Sequence, residues 1–585
     1  MAEKTACTTS NPLAQKLKLR LDEDQLTNCM RCGFCLPACP TFRETGIEAE
    51  SPRGRIALMK AVADGIMAPD AAFEEQMNHC LGCRACEPAC PADVKYGQLI
   101  EQARDAIEDH TDSHRGWVKL ARRTAFKAVF PKQNRMKLLG GALGLYQRSG
   151  LQKIARGTGI MKLFPDHMRE MEQILPEASS RGVIERIGSS HPAVGAKIAT
   201  VGLFRGCLMD VMFTDTNVHT VELLTQAGFE VVIPETQNCC GALHAHSGEA
   251  DGARSLARGN IRAFREAGVD YIVSNAGGCG AILAEYDHLL HEDAQWKEDA
   301  AWFAARVKDV SDLLVNFGRV PKFAEQGWAP AAGGQGASAT GACTAAGGSG
   351  AVAAQAGVLA PQAPAPAGLT AADATAARTS AGSAAAPGAA ASASGRPAAA
   401  CGGTSAAPAD IGAELAAIDD ASAQAETAAA CAGTAAAAAG GAALRDTHAQ
   451  PSAACTAGSS TAASAAAPSV RITYQDSCHL RNVMRSSDAP RKLMRQVAGV
   501  EYVEMFEADR CCGSAGIYNL TQPDMANQIL DHKMVHANAT DARYLLTSNP
   551  GCLLQMKLGN ERHGDGSMKV MHVVDFLHER LLGDR

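Results

Sequence analysis

The chain has 585 residues, of which 46% are hydrophobic and only 5% aromatic, with a formal net charge of −7 at pH 7. That length suffices for two or three domains, and the acidic balance argues against the basic face of a nucleic-acid binder. Twenty-one cysteines in a sequence with no run of about 18 apolar residues and no secretory signal point to metal or redox chemistry rather than disulfides. A cytoplasmic location is expected.

Residues 1–125 read as helices around cysteine loops, and they carry the strongest signal in the chain. The string Cys29-Met-Arg-Cys32-Gly-Phe-Cys35-Leu-Pro-Ala-Cys39-Pro40 is repeated in kind as Cys80-Leu-Gly-Cys83-Arg-Ala-Cys86-Glu-Pro-Ala-Cys90-Pro91. Both spell C-x2-C-x2-C-x3-C-P, the spacing of bacterial two-cluster ferredoxins, in which the fourth cysteine ligates the other cluster. On that rule Cys29, Cys32, Cys35 and Cys90 hold one [4Fe–4S] cluster, and Cys80, Cys83, Cys86 and Cys39 hold the other. Zinc sites pair two C-x2–4-C units some distance apart, whereas here three thiols crowd within seven residues. Gly33 and Gly82 lie inside the loops, where backbone N–H groups can approach cluster sulfurs. With Arg31 and Arg84, if these are not solvated surface, they would raise the reduction potential. Between the strings, Gly54–Val62 has helical spacing, and Pro52 suits its first turn.

Residues 126–195 are basic-amphipathic and helical in pattern, as in Met161–Ile174. The remainder of the chain contains an internal repeat. One half, 196–328, opens with the apolar run Ile198–Phe204 and then Cys207; the other, 469–585, opens with Val470–Tyr474 and then Cys478. Each continues through a helix to a strand-like run (Phe229–Ile233; Glu501–Met505), a Cys-Cys-Gly, a helix, a strand (Tyr271–Ser274; Tyr544–Ser548) and a last cysteine. The closing strings are also alike, Val310-Ser-Asp-Leu-Leu314 and Val573-Val-Asp-Phe-Leu577. Strands alternating with helices imply a parallel sheet in each half.

The cysteines of the halves are Cys207, Cys239, Cys240 and Cys279, then Cys478, Cys511, Cys512 and Cys552. The first cysteine of each half stands 32 or 33 residues before the doublet, and the last 39 or 40 after it. The last in each half follows a strand, at the carboxyl edge of the sheet where sites in such folds gather. They form a candidate redox or metal site shared by the halves, against the alternative of buried thiols packing as small hydrophobes. His244, His246 and His479 lie near these turns without a ligand-like pattern.

Between the halves, residues 329–468 reduce to Ala, Gly, Ser, Thr and Pro. Such a segment has little apolar surface to bury, so a disordered insertion of 140 residues is expected. Its Cys343, Cys401, Cys431 and Cys455 have no ligand spacing and read as incidental thiols. The expected fold is therefore α+β and multidomain. A helical two-[4Fe–4S] ferredoxin-like domain comes first, then a helical connector, then two pseudo-repeated α/β Cys-Cys-Gly domains separated by the insertion. No G-x-G-x-x-G, Walker loop or serine elbow is present, so no flavin is expected in this chain.

The strings Asn28–Thr41, Ser51-Pro-Arg-Gly-Arg-Ile-Ala-Leu-Met-Lys60 and Leu81–Cys90, with the two Cys-Cys-Gly halves, resemble the glycolate oxidase iron–sulfur subunit. The insertion departs from that family. The resemblance implies a complex in which a separate FAD subunit oxidises glycolate to glyoxylate. This chain would relay single electrons to a membrane acceptor such as a quinone, peripheral on the inner face of the membrane through its complex. Subunits of lactate utilisation, anaerobic glycerol-3-phosphate oxidation and heterodisulfide reduction share the Cys-Cys-Gly architecture. In the last type each half ends in C-x-x-C and binds an unusual cluster, whereas only Cys279 and Cys552 stand at that point here.

Overall fold

The computed structural model describes residues 11–110, 116–319 and 469–581. The insertion, its transient helix expected near Glu414–Ile418 and its four cysteines lie outside the described residues.

The N-terminal part is helical. Ser51 caps the helix Pro52–Ala63 by accepting from the Gly54 N–H, and Pro52 occupies its first turn, a position that needs no N–H donor. Its inward residues Ile56, Met59 and Val62 join Leu13, Leu17, Phe73, Met77 and Leu99 in one apolar core, on which Cys80 and Cys86 also sit. Pro40, the residue after the fourth cysteine of the first string, starts a short helix, Pro40–Thr45.

The connector is a run of helices, including Gln133–Arg148 and Leu151–Gly157. The helix expected over 161–174 is interrupted: a 3-10 turn at Ile160–Leu163 is followed by a helix at Asp166–Ile174. Pro165 is the cause. Its ring drives the preceding residue out of the helical region, and Phe164 is extended at φ −98°, ψ 151°.

Each half then builds a sheet. The first contains β1 (Ser190–His191), β2 (Ala199–Leu203), β3 (Phe229–Val232), β4 (Tyr271–Ser274) and β5 (Val307–Asp309), in the order β1-β3-β2-β4-β5. The second contains β6 (Val470–Tyr474), β7 (Val500–Tyr502), β8 (Tyr544–Thr547) and β9 (Lys569–His572), in the order β7-β6-β8-β9. Apart from β1, which is antiparallel to β3, all pairings are parallel. The four parallel strands of each half thus follow one order, second-first-third-fourth, and the sequence repeat is a structural repeat. The halves share one core, in which Val201, Phe229 and Leu313 lie with Ile472, Leu546 and Phe576. Their third strands end facing each other: the Gly277 N–H donates to the Ser548 carbonyl at 3.0 Å, and Gly278 N–H to Asn549 Oδ1 at 3.0 Å.

Candidate iron–sulfur centre

The two N-terminal cysteine strings adopt one backbone path. In the first, Arg31 (φ 56°) and Gly33 (φ 93°) are left-handed; at the matching positions of the second, so are Gly82 (φ 66°) and Arg84 (φ 59°). Repeated left-handed residues set successive N–H groups towards a common point, the concave arrangement that receives anions and iron–sulfur clusters. Two of the four are non-glycine and carry the cost of that conformation. The Gly82 N–H donates to Cys80 Sγ at 3.3 Å, and the Tyr96 hydroxyl lies 3.6 Å from the same sulfur.

A cavity is lined by Cys39, Cys80, Cys83 and Cys86, with Thr41, Arg55 and Tyr96 on its wall. The three early cysteines of the second string thus meet the fourth cysteine of the first. Arg55 is fully buried and paired with Glu50 at 3.1 Å. Burial works against its charge, but Tyr96, Cys80, Cys39 and Glu50 hold its pKa above the ordinary value. A fixed cation here would offset the negative charge of a thiolate-bound cluster. Burial pushes the Cys83 and Cys86 thiols well up, as do neighbouring thiols, Cys511 foremost at Cys83. The first string is more open: Cys32 is exposed, while Cys29, Cys35 and Cys90 are half-buried against the helical core. Arg53 crosses its loop, donating to the Arg31 carbonyl at 2.9 Å. The donor set, the left-handed loops and the buried counter-charge all fit cubane clusters.

The second string is enclosed by both Cys-Cys-Gly halves. Arg84 is buried, pairing with Glu87 at 2.9 Å and with Glu285 of the first half; Arg31 is exposed. From the second half, Asn482 Nδ2 donates to the Cys83 carbonyl at 2.9 Å, and the Tyr518 hydroxyl to the His79 carbonyl at 3.0 Å. Leu81 and Cys83 share one apolar cluster with Cys478, Cys511 and Tyr518.

In each half the four cysteines follow the carboxyl ends of its first three parallel strands. Within each half they lie close to one another. In the first, Cys207 Sγ lies 3.6 Å from Cys239 Sγ, and Cys240 Sγ 3.4 Å from Cys279 Sγ. The neighbouring thiol of Cys239 and burial raise Cys207 well above the thiol range. In the second, hydrogen bonds from Cys478 and then Cys512 hold Cys511 well below it. Cys279 packs against the cluster that contains Cys512 and Cys552, so the two sets are neighbours.

The histidines form a junction. His246 shares a hydrogen bond with Glu101 at 2.8 Å and stacks on His479, ring centroids 5.3 Å apart; His479 Nδ1 lies 3.6 Å from Cys478 Sγ. Burial first, then His246 and Arg84, lower the pKa of His479 to about 3, so it is a neutral ring. His244 instead meets the Phe126 carbonyl at 2.9 Å. The roles of Arg55, Tyr96 and Glu101 were not read from the sequence. Arg55 had one signal, as a second arginine in the first turn of a helix preceded by Glu48 and Glu50.

Comparison with known proteins matches each region separately. The 4Fe-4S dicluster domain matches residues 25–94, and the cysteine-rich domain matches twice, at 201–284 and 472–557. The linker region of the glycolate oxidase iron-sulfur subunit matches 117–175. A "probable glycolate oxidase iron-sulfur subunit" of Bacillus subtilis (strain 168) is 39% identical over 569 residues, spanning 97% of this chain and 96% of that protein. The chain belongs to the glycolate oxidase iron–sulfur subunit family. The family's Escherichia coli (strain K12) member is 29% identical over 293 residues, 49% of this chain and 65% of its own length. Lactate utilization protein A of Geobacillus kaustophilus (strain HTA426) is more distant, 23% identical over 380 residues, 65% of this chain and 99% of that protein. All eight N-terminal cysteines fall within the dicluster match, and all eight later ones within the two cysteine-rich matches.

Proposed function

We propose that this chain is the electron-carrying subunit of a flavin-dependent glycolate oxidase complex. A separate FAD subunit would oxidise glycolate to glyoxylate, and the electrons would leave towards a membrane acceptor such as a quinone. In this reading Cys29, Cys32, Cys35 and Cys90 hold one [4Fe–4S] cluster, and Cys80, Cys83, Cys86 and Cys39 the other. Clusters so held take up and release electrons singly.

The observation that carries the assignment is the cavity where Cys39 joins Cys80, Cys83 and Cys86, the crosswise set of two-cluster ferredoxins. The protein's own groups act on that cavity in three ways. Leu81 and Tyr96 exclude water; Gly82 N–H and the Tyr96 hydroxyl address a sulfur; Arg55 supplies fixed positive charge. The hydrogen bonds and the cation favour the reduced, more negative state. The exposed Cys32 marks where a redox partner gains access to the first set. The buried second set is the one that reaches the Cys-Cys-Gly halves. Since Cys83 and Cys511 share one apolar cluster, Cys478, Cys511, Cys512 and Cys552 are the candidate further redox or metal site in line with it.

The test is anaerobic purification with iron and sulfide analysis, then Cys39→Ser. We expect loss of one cluster, about half of the N-terminal iron, and loss of acceptor reduction, with substrate binding by the flavin subunit intact. Zinc without sulfide in the parent protein, or undiminished electron flow in the variant, rejects the relay. Assay of the complex with lactate and glycerol 3-phosphate beside glycolate decides the donor.

A further inference from the structure

The connector carries an unusual surface. Between Asp112 and Asp166 the sequence has twelve Lys and Arg and not one Asp or Glu, in a chain whose net charge is −7; the rest of the molecule is therefore strongly acidic. Of the 23 large hydrophobic residues exposed among the described residues, ten lie in this stretch, which is a small fraction of the chain. The concentration is not that of singly scattered surface apolar groups.

One of its helices packs inward partly through glycines, with most of its leucines outward. In Gln133–Arg148 the buried positions include Gly140 and Gly144. A Cβ at Gly140 would meet the Ser179 carbonyl at 2.7 Å, and one at Gly144 would strike the Ala178 carbonyl. The helix is thus pressed onto residues 178–179 by its smallest side chains, and its leucines face away: Leu138 is 75% exposed and Leu145 66%. Trp117, Leu120 and Leu139 border a common apolar groove with Phe130, and Leu163, 84% exposed, extends the apolar surface on a later turn.

Basic residues surround these groups. Arg122, Lys137, Arg148 and Arg156 pair with carboxylates outside the stretch, namely Glu108 and Glu249, Glu185, Glu177 and Glu172. Arg123, Lys127, Lys132, Arg135, Lys153 and Lys162 are exposed.

We propose that residues 116–164 form a docking surface for an anionic lipid bilayer, with the protruding apolar side chains entering the interface and the basic ones meeting lipid headgroups. Protein–protein interfaces are depleted in lysine at their cores. Lysine and arginine interleaved with exposed Leu, Ile, Phe and Trp are instead the composition of elements that lie on anionic membranes. No described helix is long and apolar enough to cross a membrane, so the contact is one of lying on the surface. The surface would bring the proposed relay to a membrane acceptor, but its test does not depend on that relay.

The full-length protein, purified anaerobically with its clusters, is floated with vesicles of phosphatidylcholine containing roughly one-third phosphatidylglycerol and with vesicles of phosphatidylcholine alone. We expect binding to the anionic vesicles that weakens as salt rises. Lys127→Gln and Lys132→Gln should each weaken it about fivefold, and Leu138→Gln with Leu145→Gln about tenfold. Far-UV circular dichroism and the cluster absorption should stay unchanged in these variants, as should reduction of a water-soluble dye by the assembled complex. Protein that stays out of the anionic vesicle fraction, or binds neutral vesicles equally well, overturns the proposal. So does loss of the flavoprotein complex in the leucine variant with vesicle binding unaltered, which would make the surface a protein interface. Failure of dye reduction in the parent complex would instead indict the relay.

Discussion

The two Cys-Cys-Gly halves share strand order and cysteine spacing, yet their buried charges are inverted. Two residues before the first cysteine stands Arg205 in one half and Asp476 in the other. Arg205 is poorly matched: Asp210 lies 3.8 Å away, Nε has no partner, and burial lowers its pKa. Asp476 is held by Arg491 at 2.7 Å and Arg481 at 3.0 Å, and Arg491 also grips Glu504 at 2.6 Å. The repeat therefore preserves the frame of the thiols, while each half stabilises its first loop by its own electrostatics. The second half, whose thiols lie beside Cys83, has the better-paired buried charge.

This contrast can be broken most strongly at Arg491. Arg491→Met removes the main partner of a carboxylate that is fully buried, so it should cost about 3 kcal/mol, read from the denaturant midpoint. Arg205→Met should cost about 1 kcal/mol or less, because Asp210 keeps the Val183 N–H at 2.7 Å and Gln133 Nε2 at 2.9 Å. Equal losses would show that the two loops are electrostatically equivalent after all.

A second inversion should appear in the pH dependence. Asp309 and His572 occupy matching positions before the closing helix of each half. Asp309 accepts from the Ser311 N–H at 2.8 Å, and His572 Nδ1 from the Val574 N–H at 3.2 Å. Burial raises Asp309 to about 7 and lowers His572. The folded protein keeps a proton on Asp309 that the unfolded chain loses, so this group's stabilisation is whole below about pH 4 and lost as pH rises through 7. For His572 the unfolded chain binds the extra proton, so its stabilisation is whole above about pH 6.5 and lost as pH falls. Asp309→Asn should remove a decline of about 2–3 kcal/mol between pH 4 and 7, and His572→Asn should remove a slope of opposite sign. Unfolding midpoints of each variant against the parent across that range check both.

The frame was legible and its environment was not. Cysteine spacing and apolar runs located the strands β2, β3, β4, β6, β7 and β8 to within a few residues, since those signals are local. Strands β5 and β9 escaped notice because each runs straight into the closing helix at Val310 or Val573, so its residues read as part of the helical string. That Cys83 would be buried and Cys32 exposed could not be read from two strings of identical spacing. The difference arises from contacts across some 400 positions of chain, Asn482 to Cys83 and Tyr518 to His79. Likewise the basic, amphipathic character of 126–195 was visible, but which side faces the core depended on glycines fitting against residues 178–179.

Those long-range contacts supply the smallest and most discriminating expectation. The first half docks through charge on the second cysteine string, Glu285 on Arg84, and on the helix after it, the His246 carbonyl on Arg104 at 3.1 Å. The second half docks through neutral hydrogen bonds, from Asn482 and Tyr518. Tyr518→Phe and Asn482→Ala each remove one such bond and should each cost about 1 kcal/mol. If the two bonds act as one docking surface, the double variant should depart from additivity by at least about 0.5 kcal/mol. Neither change removes a thiol, so both variants should retain full iron and sulfide. On the relay reading, a loosened contact between Cys83 and Cys511 should slow acceptor reduction while leaving cluster content intact. Slowed reduction with intact iron would tie electron flow to the second half. Unchanged reduction alongside a measured loss of docking energy would place its thiols outside the path.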